Sequence, residues 1–286
     1  MKIIAYFFLV YGIIFGFFLL KKAFFSISEV KKERGSFPAQ LFAEAMVFFL
    51  STMGFPDFVM NTLTFRKFSW VEDRRIPPTL VAAAVTPGTF IAFSYLHTGS
   101  FSDLRTLLTC MAAAAAGSFF GSRAVTGLDG KMLRRIVSAA LAVSMVLIAV
   151  KMAAGSGVSG SRTELGTAGL CIAACVIVLL SFLNMFGVPM KPSLTALFLL
   201  LGLSPMTAIT LMLVISVTSP VVGGITVMRN GQYHKRISVA AVTAGTLGAA
   251  AGSLLTFSMD AAVLNVILLL IMGLTILSLN GKGGSR

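Results

Sequence analysis

The sequence predicts an all-α, polytopic integral membrane protein with two inverted-topology repeats. These carry broken or re-entrant helices and are preceded by one extra N-terminal helix. Three observations predict this: the composition, an ordered internal duplication, and the way basic residues distribute between loops. Of 286 residues, 57% are hydrophobic and only 12% are charged, whereas a soluble domain carries about 25% charged residues. Mean hydropathy is +0.93. Apolar runs almost free of charge recur along the chain, each about long enough for a bilayer core of roughly 30 Å.

The first run, Ile3 to Leu20, ends in Lys21-Lys22. It is long for a signal-peptide core and has no A-x-A-like cleavage site after it, so it reads as a true span. Residues 1–36 thus form a first helix and a basic loop. Further runs extend over Pro38–Met53, Thr79–Tyr95, Leu104–Ser122, Leu133–Met152, Leu165–Phe186, Pro205–Met228, Ile237–Phe257 and Ala261–Leu279. Two shorter pieces, Asp57–Phe65 and Pro192–Leu203, follow Gly-x-Pro breaks.

These pieces repeat in order. Gly54-Phe55-Pro56 recurs as Gly187-Val188-Pro189, Val85-Thr86 as Val217-Thr218, and Gly99-Ser100-Phe101 as Gly231-Gln232-Tyr233. The Gly117/Gly121 pair recurs as Gly248/Gly252, and Asp129 with Leu133 as Asp260 with Leu264. The offset drifts only from 133 residues (Gly54 to Gly187) to 131 (Asp129 to Asp260). The expected units are therefore residues 37–152 and 165–286, joined by a Gly/Ser-rich external linker over 153–164.

Charge then orients the units. In the first unit the loop before Leu133 carries Arg123, Lys131, Arg134 and Arg135. In the second the basic loop is the preceding one, with Arg229, Lys235 and Arg236. Equivalent loops are thus expected on opposite sides of the membrane. With the N-terminus outside and the C-terminus cytoplasmic, every Lys and Arg faces the cytoplasm except Lys2, Arg105, Lys151, Arg162 and Lys191. The positive-inside rule therefore accounts for the net charge of +13, and no nucleic-acid partner is expected.

The Gly-x-Pro breaks are the leading site candidates. A proline removes a backbone donor, and interrupted backbone at membrane depth survives where it is buried or lines a polar cavity. Paired breaks at matching positions of two repeats mark the substrate site of many transporters. Candidate substrate-binding residues are Gly54, Pro56, Asn61, Asn184, Gly187, Pro189, Lys191, Ser193 and Thr195. The short pieces after Gly54 and Gly187 either cross the membrane or re-enter, and their shortness favours a re-entrant hairpin. Lys191 stands at a new helix start, suited to a sulfonate or carboxylate, or else snorkels to the interface. Asp57, near the matching position, argues against a symmetric anion clamp. Glu44, inside an apolar helix, is a coupling candidate. Thr86 and Thr218 flank helix prolines and either line a pathway or bond their own i−4 carbonyls. The Gly-x-x-x-Gly pairs read as close-packing faces.

Other chemistry is not expected. Cys110, Cys171 and Cys175 lie in apolar runs without zinc-ligand spacing, and His97 and His234 lack metal partners. No phosphate-binding loop or hydrolase motif is present. Neither an enzyme nor a cofactor is expected, and a homodimer is compatible with this reading.

The duplicated unit resembles the sulfite exporter TauE/SafE family from about Ala39 to Leu279. The residues that carry the resemblance are MGFP at 53–56, FGVP at 186–189, NGQYHKR at 230–236 and the Gly-x-x-x-Gly helices. The second copy is the better match. The resemblance implies a permease of the bacterial inner membrane that exports sulfite, sulfoacetate or a related organosulfur anion. The expected function is a secondary transporter moving a small anion outward by alternating access. A non-transporting membrane enzyme or assembly subunit, or an anion channel, are the alternatives.

Overall fold

The computed structural model describes residues 1–98, 103–124 and 161–254. The expected spans at Leu133–Met152 and Ala261–Leu279, and most of the 153–164 linker, lie outside them. The described residues form helices α1 (Lys2–Phe25), α2 (Ile27–Lys32), α3 (Phe37–Thr52), α4 (Asp57–Lys67) and α5 (Ile76–Thr98). These are followed by α6 (Leu104–Ala124), α7 (Thr167–Asn184), α8 (Lys191–Leu200), α9 (Pro205–Asn230) and α10 (Lys235–Leu254). Six of them, α1, α5, α6, α7, α9 and α10, are long and apolar enough to cross a membrane.

α1 shows why such segments must be buried in lipid or protein. It has no charge between Lys2 and Lys21. Ala5, Phe8, Gly12, Phe15, Gly16 and Leu19 form a buried stripe at helical spacing, and α1 packs on α5. The opposite face exposes Ile3, Phe7, Val10, Ile14 and Phe17. Contact with α5 is close: a Cβ on Gly12 would stand 2.0 Å from Thr89 Oγ1.

α5 and α9 cross at the centre. Gly88 lies on Val217, and Gly224 lies on Val85. Both helices contain a proline, Pro87 and Pro220. Each proline removes the donor that the carbonyl one turn earlier would use.

Around this crossing the two units exchange partners. α6 packs on α7, where a Cβ on Gly117 would stand 2.2 Å from Val178 O, and one on Gly121 would stand 2.6 Å from Phe182 O. α10 packs on α3, where the corresponding distances are 2.0 Å from Gly248 to Ala45 O and 2.7 Å from Gly252 to Phe49 O. Val178 follows Ala45, and Phe182 follows Phe49, at the same 133-residue offset that separates the breaks. These are one contact made twice, with the halves interchanged. α10 also contains a π-helical turn at Ala241–Gly245, set where Gly245 lies against the Phe48 ring.

The ends of the bundle are chemically distinct. At one end Glu33 gathers Arg75 (3.1 Å), His234 Nδ1 (3.1 Å) and the backbone N–H groups of Lys235 and Arg236 (3.0 and 2.7 Å). It thereby caps the start of α10. Lys235 also pairs with Glu29; this hydrogen bond and charge hold the exposed Glu29 carboxyl below its usual range. At the other end Leu165 N donates to Thr106 Oγ1 (3.4 Å), Ser204 N donates to Arg162 O (2.8 Å), and Tyr6 meets His97.

Candidate functional site

The two Gly-x-Pro breaks are hairpin tips. α3 starts beside Gly35, against which Trp70, just past α4, is packed. Arg75, a few residues further on, reaches the same Glu33 cluster. α3 and α4 therefore enter and leave at one end. α7 begins next to the Leu165–Thr106 contact, and α8 ends at Gly202 and Leu203, which pair with Arg162 at the opposite end. Each short helix doubles back toward the end from which its hairpin came. Two hairpins thus come in from opposite ends, and their tips meet at the level of the α5–α9 crossing.

Both tips have the same local geometry. Gly54 has φ +91° and Gly187 φ +92°. Gly54 N donates to Ser51 O (3.1 Å) and Phe55 N to Leu50 O (3.4 Å); Gly187 N donates to Asn184 O (2.9 Å) and Val188 N to Leu183 O (3.4 Å). This is a Schellman termination with glycine in the left-handed position. The proline two residues later prevents the first helix from continuing. The next helix starts at Asp57 in one hairpin and at Lys191 in the other.

Those two first residues form an ion pair. Lys191 Nζ lies 2.7 Å from Asp57 Oδ1, with side-chain exposures of 8% and 12%. Lys191 Nζ also donates to Ser51 Oγ (2.5 Å) and is 3.5 Å from Phe55 O. All three contacts come from the opposite hairpin. Asp57 is favourably placed at a helix N-terminus, where the macrodipole is positive, whereas Lys191 is placed against its own helix dipole. A cavity surrounds the pair, lined by Ser51, Pro56, Asn184, Pro189, Ser216 and Pro220 on its polar and kinked side, and by Phe48, Phe58 and Ile91 on its apolar side. The space left in it is room for about one water. Asn184, equivalent to Ser51 at the 133-residue offset, is held by its own tip. Its Nδ2 donates to Val188 O (2.8 Å) and its Oδ1 accepts from Ser219 Oγ (3.0 Å), which lies 2.8 Å from Ser118 Oγ.

A second buried polar pair lies further down the first hairpin. Asn61 Nδ2 donates to Glu44 Oε2 at 3.2 Å, while Glu44 Oε1 and Asn61 Oδ1 have no hydrogen-bond partner among the described residues. Glu44 is 1% exposed.

Of the candidates read from sequence, Pro56, Asn184, Pro189 and Lys191 line the cavity, and Gly54 and Gly187 shape its tips. The others lie off it. Asn61 is engaged by Glu44, and Ser193 is buried in α8. Thr195 donates to Lys191 O at 3.0 Å and Thr218 to Val214 O at 2.9 Å. Thr86 faces α1, with Oγ1 3.4 Å from Gly12 O. Sequence reasoning missed Ser51 and Ser216, and read Asp57 only as an argument against a symmetric anion clamp. The available signal for Asp57 was its place immediately after the break, matching that of Lys191.

Long apolar helices enclosing two re-entrant hairpins, with charge buried where the tips meet, define a multi-pass membrane protein with a central polar site. The chain belongs to the sulfite exporter TauE/SafE family, a family of membrane transporters, whose model matches residues 42–279. No curated protein and no solved structure matches the chain.

Proposed function

We propose that the protein is a secondary transporter that moves a small anion, such as sulfite, a sulfonate or a related organosulfur compound, outward across the bacterial cytoplasmic membrane. The observation that carries this reading is Lys191, a cation buried at mid-depth in a cavity formed by two broken hairpins. Half-helix starts and interrupted backbone around a midplane site are the means by which inverted-repeat transporters hold ions. Two hairpins entering from opposite ends, and the interchanged α6–α7 and α3–α10 contacts, support two inverted repeats. Alternating access then consists of one half rocking on the other about the α5–α9 crossing.

The end of the bundle that carries Arg75, Lys235 and Arg236 is the cytoplasmic one by the positive-inside rule. This puts the N-terminus outside. An inside-negative potential favours outward movement of an anion by about 2.3 kcal/mol per 100 mV per charge, so export needs no nucleotide hydrolysis. Glu44 is the residue through which proton coupling would act.

The test is efflux of sulfite from proteoliposomes containing the purified chain, with and without an imposed potential. A saturable efflux that accelerates when the inside is negative, and that Lys191→Ala abolishes, is the expected result. Efflux equal to that of empty liposomes, for sulfite and for a panel of sulfonates, thiosulfate and carboxylates alike, would falsify the proposal.

A further inference from the structure

We infer that Asp57 is an internal stand-in for the transported anion: it neutralises Lys191 when the site is empty and is displaced when substrate binds. This rests on the anion-transport reading above and explains how such a carrier can return unloaded.

Among the described residues the cavity lining contains one cation and one anion, Lys191 and Asp57, and they are already joined at 2.7 Å. The other described contacts of the ammonium, to Ser51 Oγ and Phe55 O, come from the same hairpin as Asp57. The space left beside the pair takes about one water, and a sulfite or sulfonate is several atoms larger. An anion that binds Lys191 therefore competes with Asp57 for the ammonium. The released carboxylate remains at the N-terminus of the eleven-residue helix α4, where the helix dipole favours negative charge. Lys191 has no such support at its own helix start. Both groups are costly to leave buried alone, but of the two the aspartate, at its helix N-terminus, is the better placed to part from its partner.

The consequence for transport is specific. A lysine buried without a partner is costly. With Asp57 present, both the loaded and the empty carrier pass through the closed state with the lysine neutralised, and net efflux proceeds. Without it, only the loaded carrier passes, and the protein exchanges anions one for one.

The experiment uses the full chain in proteoliposomes with radiolabelled sulfite as probe. Efflux into sulfite-free buffer is compared with exchange against unlabelled sulfite. The wild type is expected to support both. Asp57→Asn is expected to lower net efflux by at least about tenfold more than it lowers exchange. Net efflux at the wild-type rate overturns the inference. So does loss of exchange together with efflux in a variant that elutes as a single folded species. Should Asp57→Asn not fold, Asp57→Ser replaces it. Should neither fold, the swap Asp57→Lys with Lys191→Asp decides, since it restores the pair at two equivalent helix starts: recovered net efflux supports the inference and its absence overturns it. A wild type that moves no sulfite in either mode defeats the transport reading itself, and this inference falls with it.

Discussion

The indole of Trp70 fills the space beside Gly35, with its Cδ1 2.7 Å from where a Gly35 Cβ would stand. Gly35 has φ +100°, and the Gln40 side chain is as close on the same side. This contact joins the two feet of the first hairpin, and it predicts that Gly35→Ala is destabilising by about 1–3 kcal/mol from backbone strain alone. Thermal unfolding in detergent should show a clearly lower midpoint. Trp70 is the sole tryptophan, so a red-shifted emission maximum would report the loosened hairpin directly.

Gly248→Ala should be severe and Gly166→Ala silent. The first places a methyl group 2.0 Å from the backbone oxygen of Ala45, whereas a methyl group on the second meets no described residue within 4 Å beyond its chain neighbours. Overpacking against main chain costs about 1–3 kcal/mol or more. Comparing detergent-extractable yield and melting midpoint of the two variants checks this. Equal stability would mean that α10 does not seat on α3 as described.

Lys191→Met leaves the Asp57 carboxylate buried without its partner, which costs about 3–5 kcal/mol. The double variant with Asp57→Asn removes both charges and should recover most of that loss. A double-mutant cycle on unfolding free energy measures the coupling. Additive effects of the two substitutions would show that the two groups do not interact.

Glu44→Gln should not destabilise the fold. The introduced amide can donate to Asn61 Oδ1 while accepting from Asn61 Nδ2, which gives Asn61 Oδ1 a partner and replaces the unpartnered Glu44 Oε1 with a donor. An unchanged or higher melting midpoint is expected. If Glu44 couples protons to transport, efflux in this variant should also become insensitive to pH. A steep fall in stability would place an unrecognised cation or donor beside the acid.

Much of this architecture is legible in the chain itself. Glycine followed by proline two positions on, twice, marks the hairpin tips because only glycine takes the left-handed turn and proline forbids continuation. The drift of basic residues between equivalent loops indicates opposite entry of the hairpins, since charge is excluded from lipid. Lys191 stands out because it is a cation at a break.

What the sequence hides is azimuth and partnership. α5 and α9 are buried along most of their length, so no polar stripe tells which face meets the cavity. Thr86 and Thr218 accordingly turn to α1 and to their own backbone. The pairing of Asp57 with Lys191 has no local signature either. Opposite charges at equivalent helix starts read as broken symmetry along the chain, yet they are complementary once an approximate two-fold relation brings the starts together.

The interchanged seating of α6 on α7 and of α10 on α3 also bears on how the chain is made. α3 emerges early from the ribosome, but α10, whose glycine-lined flank seats on it, is synthesised much later. Until α10 arrives, that face of α3 stands open to the lipid. Truncation before α10 should thus expose the earlier helices to degradation, however intact they are.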